Sequence, residues 1–162
     1  MGGKMSRNKG ARAERYVKQV FADWWGVDFH RTPGSGSFAT TTKNMPNVSG
    51  DVATHDSSFP FCVEVKNVEG WHLEQLFTAP ECDIVQWWRQ AKEQCPDDQI
   101  PLLIFTRNHQ PYYFVMPQYF VNIDGWSIVI DGDEVVLGLL DHLVEDTATC
   151  TWEEVKDSNC DN

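Results

Sequence analysis

Three residues combine type and spacing in a way that could do chemistry: Asp51, Glu64 and Lys66. The run Phe61-Cys62-Val63-Glu64-Val65-Lys66 reads as a buried strand, apolar but broken by two charges two positions apart. Side chains alternate across a strand, so Cys62, Glu64 and Lys66 share one face while Val63 and Val65 take the other. A carboxylate and an ammonium on a hydrophobic strand are costly to bury unless something demands them. Asp51, in Gly50-Asp51-Val52 and expected at the end of a preceding strand, can converge with them. Two carboxylates can hold a hard divalent cation. The lysine can orient or deprotonate water, or neutralise charge growing on a phosphate. That equipment suits metal-dependent phosphodiester hydrolysis. The competing interpretation is a structural Glu–Lys pair at a sheet edge beside an ordinary turn aspartate.

The elements that must position these residues follow from periodicity. Apolar Ala11, Ala13, Tyr16, Val17, Val20, Phe21 and Trp24 recur at helical steps, predicting a first helix from about Asn8 to Trp25, stopped by Gly26. Glu14 falls at or beside its buried stripe, where a carboxylate either caps something polar or joins the metal site. Lys9, Arg12 and Arg15 flank it and could hold a nucleic-acid backbone, or simply coat a solvated helix. Val27 to Arg31 reads as a short strand, followed by the loop Thr32-Pro33-Gly34-Ser35-Gly36-Ser37. Small residues there permit backbone N–H groups to approach a phosphate, although a connector needs them too.

Further along, a short helix is expected from Trp71 to Phe77 and a longer one from Cys82 to Gln94. Trp87 and Trp88 stand about 100° apart on the longer helix, so one can be core and the other can line a cleft or a dimer contact. Ile100 to Phe105 and Tyr112 to Met116 read as a strand pair. Ser127 to Ile130 and Val135 to Leu139 form a hairpin through Asp131-Gly132-Asp133. The tail from Glu145 is acidic and expected to fray. Its acids lack the spacing of a calcium loop, and the five histidines show no metal spacing.

Composition bounds the function. The 162 residues suffice for one domain with a real core, and 41% hydrophobic content argues against disorder. No apolar run approaches the roughly 18 residues of a membrane span, and the N-terminus lacks a signal peptide's apolar stretch, so the expected location is the cytoplasm. Five cysteines without Cys-x-x-Cys spacing point to free thiols rather than disulfides or zinc. The net charge of −11 is unevenly divided. Residues 1–50 hold eight Lys/Arg against three Asp/Glu, whereas residues 97–162 hold two against thirteen. A local basic face can bind phosphate on an acidic protein, because distant charges are screened beyond roughly 8–10 Å.

In order along the chain, Lys9-Gly10-Ala11-Arg12-Ala13-Glu14-Arg15, Arg31-Thr32-Pro33-Gly34-Ser35, Asp51-Val52 and Glu64-Val65-Lys66 resemble the archaeal-type Holliday junction resolvases of the PD-(D/E)XK nuclease superfamily. Trp71 and Trp87-Trp88-Arg89-Gln90 resemble related phage resolvases. The resemblance covers about residues 8 to 116. It implies an α/β fold with a restriction-endonuclease-like core, a central mixed β-sheet flanked by helices in the order αβββαβ, and a site on the sheet's rim. It implies Asp51 and Glu64 as direct metal ligands with the Val65 carbonyl, and Glu14 completing the metal environment directly or through water. Lys66 matches the catalytic lysine, Ser35 a loop serine near the site, and Gln90 a helix glutamine beside it; Ser37 competes with Ser35, because the segment before Asp51 is longer than in the archaeal proteins. Arg15 and Arg31 match residues that hold DNA, joining Lys9 and Arg12. The expected cofactor is Mg²⁺, for which Mn²⁺ can substitute, and the expected partners are branched DNA and a second copy of the chain.

The expected domain plan is a nuclease domain over 1–144, with its core at about 8–116 and a C-terminal β extension at 117–144, then an acidic tail over 145–162. The expected activity is a structure-selective endonuclease that resolves four-way junctions. Alternatives are a nuclease of the same fold acting on nicks, ends or duplex, and a non-catalytic acidic protein that mimics DNA or binds a partner.

Overall fold

The computed structural model describes residues 2–32, 50–118 and 123–146. The first helix, α1 (Gly2–Trp25), starts six residues before the expected point. Ala13, Val17 and Phe21 form its fully buried stripe, each four residues from the next. Seven strands follow in one sheet: β1 (His30–Arg31), β2 (Val52–Ala53), β3 (Phe61–Asn67), β4 (Ile100–Thr106), β5 (Tyr113–Pro117), β6 (Trp126–Ile130) and β7 (Asp133–Leu139), in the spatial order β1-β2-β3-β4-β5-β7-β6. The remaining helices are α2 (Gln75–Thr78), α3 (Asp83–Gln94) and α4 (Leu140–Asp146).

Pairing is antiparallel except between β3 and β4, where Glu64 lies opposite Leu103 and Lys66 opposite Phe105. Parallel neighbours need a crossover, and α2 and α3 provide it. The sheet is therefore mixed and covered on both faces, as expected for a restriction-endonuclease-like core. On one face α1 and α4 pack against Val63, Val65, Leu102 and Ile104. On the other, Ile84, Trp88 and Ala91 of α3 pack against Leu103, Phe105 and Val115. Strand alternation thus hands Glu64 and Lys66 to the α3 side.

The β6–β7 hairpin turns through Asp131 (φ 54°) and Gly132 (φ 82°), two successive left-handed residues that match the twist of the flanking strands. It adds two strands to the same sheet, so the C-terminal β extension belongs to the central layer. Other expectations need correction. Trp71 is not helical; it is buried ahead of α2, and its indole N–H donates to the Thr106 carbonyl at 3.3 Å. The run Tyr113 to Met116 is buried core, because β5 has neighbours on both sides. Of the tryptophan pair, Trp88 is the buried member and Trp87 the half-buried one. Helix α4 continues to Asp146 and buries Leu140 and Leu143 against the α1 side, and the rest of the expected acidic tail lies outside the described residues.

Candidate active site

The site begins at the break between β1 and β2. Gly50 has φ +90°, and a Cβ there would come within 2.5 Å of the Val63 carbonyl oxygen. Only glycine permits both the backbone conformation and this approach. The next residue is stitched on both sides: the Asp51 amide donates to Val63 O at 2.7 Å, and its carbonyl accepts from Thr32 N at 3.0 Å. Asp51 therefore stands just before β2, not at the end of a strand as expected. Its Oδ2 accepts the Val65 N–H at 2.8 Å. Strand β2 is only two residues long and pairs Val52 with Val63, so it stops short of Val65. The carboxylate takes the place of the missing strand partner. A strand residue presents its N–H and C=O to the same neighbour, so the Val65 carbonyl opens toward the same edge.

Glu64, 5% exposed, is a buried carboxylate on the α3 side of β3. Its Oε1 lies 2.7 Å from Lys66 Nζ and accepts from Gln90 Nε2 at 3.3 Å. Gln90 closes the triangle, its Oε1 accepting from Lys66 Nζ at 3.0 Å. Gln86, one turn earlier, is exposed and donates to the Glu81 carbonyl instead. Burial, and then the nearby charge of Glu64, push the Asp51 carboxyl up to about 7. The Val65 hydrogen bond and the Lys66 charge pull against that shift, and Glu14 adds to it.

Glu14 is thus near enough to act on Asp51, but Arg31 holds it. Both Nε and Nη2 of Arg31 approach Glu14 Oε2, at 2.7 and 2.5 Å. The expected DNA contact Arg31 and the expected metal-site acid Glu14 are therefore partners of each other. Lys9 is likewise engaged, 3.0 Å from Glu69. Arg12 and Arg15 are exposed on α1. Ser35 and Ser37 lie outside the described residues. Sequence reasoning missed two positioning contacts. One is the Val65 amide that orients Asp51; the other is Asn67, whose side-chain amide donates to the Lys9 carbonyl at 3.2 Å and docks α1 on β3. Gly50 beside Asp51 was the available signal for the first.

Among the described residues, no three His, Cys, Asp or Glu side chains form a ready metal cage. The donor set still fits a small hard cation. Mg²⁺ is commonly held by one or two carboxylates, with waters and substrate phosphate oxygens completing its shell. Asp51 and Glu64 supply the carboxylates, and burial followed by the charge of Glu64 raises the proton affinity of Asp51.

A mixed sheet with its parallel pair at the centre, a glycine-aspartate break before β2 and Glu-x-Lys on β3 together define a PD-(D/E)XK nuclease core. The chain belongs to that superfamily: residues 5–158 match the family described as "Phage putative PDDEXK endonuclease". It is also similar to Protein D14 of Escherichia phage T5, 29% identical over 131 residues that cover 78% of this chain and 75% of that protein. No solved structure matches it. Among the described residues, no helix is long and apolar enough to cross a membrane.

Proposed function

We propose that this nuclease is a Mg²⁺-dependent, structure-selective DNA endonuclease that resolves four-way junctions as a homodimer, with Mn²⁺ able to replace Mg²⁺. The observation that carries the reading is the meeting of Asp51, Glu64, Lys66 and Gln90 at one end of β3 in a member of this family. Asp51, Glu64 and the Val65 carbonyl would hold the cation, with Glu14 reaching it through water. The cation would supply Lewis-acid stabilisation of the attacked phosphate and a lowered pKa for the attacking water.

The chain's own residues do the rest. The Val65 amide fixes Asp51 against the strand edge. Gln90 holds the Glu64–Lys66 pair in register, so that one side chain can serve the cation while the other serves the phosphate. With Glu64 engaged, the Lys66 ammonium turns its protons to the attacking water or to a non-bridging oxygen. Arg12 and Arg15 on α1 meet the DNA backbone, and Arg31 exchanges Glu14 for a phosphate as DNA arrives. A junction needs two symmetric cuts and each chain has one site, so a two-fold pair of chains matches the substrate's symmetry.

The test is cleavage of a four-way junction, a flap, a nicked duplex and a linear duplex in parallel, with Mg²⁺ or Mn²⁺. Paired symmetric cuts on the junction are expected, and one active subunit mixed with Glu64→Ala protein should nick a single strand. Equal cutting of linear duplex by a monomer would retire the junction reading and leave the nuclease. No cutting of any substrate would retire both.

A further inference from the structure

Among the described side chains, the lysines and arginines beyond α1 are, with one exception, paired with acids, and so is Lys9 on α1. Arg31 is held by Glu14, Lys66 by Glu64, Lys9 by Glu69, Arg89 by Glu81 and Asp131, and Lys92 by Asp131 and Asp133. The exceptions on α1 are solvent-facing or nearly so. The exception elsewhere is Arg107, which is half-buried. Its guanidinium carbon lies 5.2 Å from the centre of the Trp71 ring, and its Nε is buried without a hydrogen-bond partner. Glu69 is close enough to feel its charge, but Glu69 Oε1 accepts its hydrogen bonds from Lys9 and from the Asn108 amide at 3.1 Å, not from Arg107. Trp71 itself is 1% exposed and packed edge-on against Phe105 and Tyr113, so the platform under the guanidinium is rigid.

The position matters as much as the missing partner. Arg107 immediately follows β4, whose Phe105 and Thr106 pair with Lys66 and Asn67 of β3. It therefore emerges at the same end of the sheet as the Glu64–Lys66–Gln90 triangle, one strand over. A half-buried cation that no acid hydrogen-bonds has more to gain from an arriving anion than one already bonded to a carboxylate. A cation–π contact with the indole favours that placement of the guanidinium while leaving its Nη fork for a two-point acceptor such as phosphate.

Resting on the nuclease reading, we infer that Arg107, aimed by Trp71, binds a backbone phosphate of the DNA beside the one that is cleaved. It is a binding residue outside the basic face of α1. Together the two surfaces grip the strand from both sides of β3.

The experiment is fluorescence anisotropy of a labelled linear DNA duplex in Ca²⁺ over a range of salt, with wild type, Arg107→Gln, Arg107→Lys and Arg89→Gln, each checked for folding by thermal melt. Arg107→Gln should lower affinity about ten-fold at low salt and reduce the slope of log affinity against log salt by about one. Arg107→Lys should keep the slope but bind several-fold more weakly, because an ammonium lacks the fork. Arg89→Gln should leave the slope unchanged, since that cation is already paired. A folded Arg107→Gln protein with wild-type affinity and slope overturns the inference, even if its melting temperature has dropped. If the glutamine variant does not fold, the lysine variant decides, and wild-type affinity there overturns it. Wild-type protein that binds no DNA at low salt overturns the nuclease reading itself, and this inference with it.

Discussion

Two clusters of acids and bases flank α3, made of the same residue types in opposite electrostatic situations. On the site side, Gln90 bonds to Glu64 and Lys66, with Asp51 and Glu14 close by. On the other side, Trp88, Arg89 and Lys92 bond to Asp131 and Asp133 in the β6–β7 turn. Asp131 is held down to about 2 by hydrogen bonds, first from Arg89 and then from Lys92. Asp51 is pushed up to about 7, because it is buried and its near neighbours include other carboxylates. Each acid of the second cluster is met by a cation of α3, whereas the Asp51 carboxylate is held by the Val65 backbone N–H. A clamp spends its acids on its own cations, and the first cluster keeps one carboxylate that no side-chain cation bonds.

The sharpest way to break this comparison is to remove the carboxylates of the first cluster. Asp51→Asn and Glu64→Ala should each cut the cleavage rate by about 100-fold or more, the scale of losing a cation that stabilises the reacting phosphate by several kcal/mol. DNA binding in Ca²⁺ should survive, since each change also removes repulsion toward phosphate. Calorimetric titration with Mg²⁺ should register weaker metal binding in both. Wild-type turnover in either variant would mean that the carboxylates at β3 are not the reacting site.

A second test reads the same contrast through stability. The folded protein binds the Asp51 proton more tightly than the unfolded chain does, whose carboxyl titrates near its ordinary 3.8. Between about pH 4 and pH 7 the folded state therefore carries the extra proton, and stability falls as pH rises through that window. The full penalty, roughly 2–4 kcal/mol, is present above pH 7. Urea denaturation of metal-free protein should show this decline, and Asp51→Asn should flatten it. Adding Mg²⁺ at pH 8 should recover part of the loss in wild type, because a ligand that binds only the folded state stabilises it. Asp131 has the reverse sign: its contribution is present above about pH 4 and is lost as pH falls through about 2. A metal-free protein whose stability is flat from pH 4 to 7 would remove the idea that burial and Glu64 raise the proton affinity of Asp51.

Much of this contrast was legible in the sequence, but unevenly. Strand alternation put Glu64 and Lys66 on one face, and helical spacing put Glu14 beside a buried stripe; both depend only on neighbours along the chain. Placing Gln90 rather than Gln86 beside Glu64 drew on family resemblance, since no local pattern shows that Gln90 bonds to Lys66 and Glu64. What could not be read were the partners chosen across the fold. Arg31 and Glu14 are separated by 17 positions, and Lys92 and Asp133 by 41, so no local pattern joins them. The acidic C-terminal region looked like an unexplained excess of charge, yet Asp131 and Asp133 neutralise the cations of α3. Helix α4 escaped because its Leu140 and Leu143 directly continue the apolar run of β7, which hides the change of period.

The smallest expected effect belongs to the second cluster. Asp133 accepts from the Trp88 indole N–H at 3.0 Å and makes a short ion pair with Lys92. Asp133→Ala removes the acceptor of a buried indole, but Lys92 keeps Asp131 at 3.1 Å, so the clamp loosens without opening. A stability loss of about 1–2 kcal/mol is expected, most of it from the stranded indole N–H. Asp133→Asn should recover much of that loss, because the amide oxygen still accepts from Trp88 although the charge is gone. Cleavage should slow only a few-fold, through a less firmly seated Gln90, and the salt dependence of DNA binding should stay as in wild type. That pattern separates a clamp that positions α3 from a second site. If Asp133→Ala instead abolished cleavage while the melting temperature held, the turn would be taking part in the reaction, and the division between the two sides of α3 would fail.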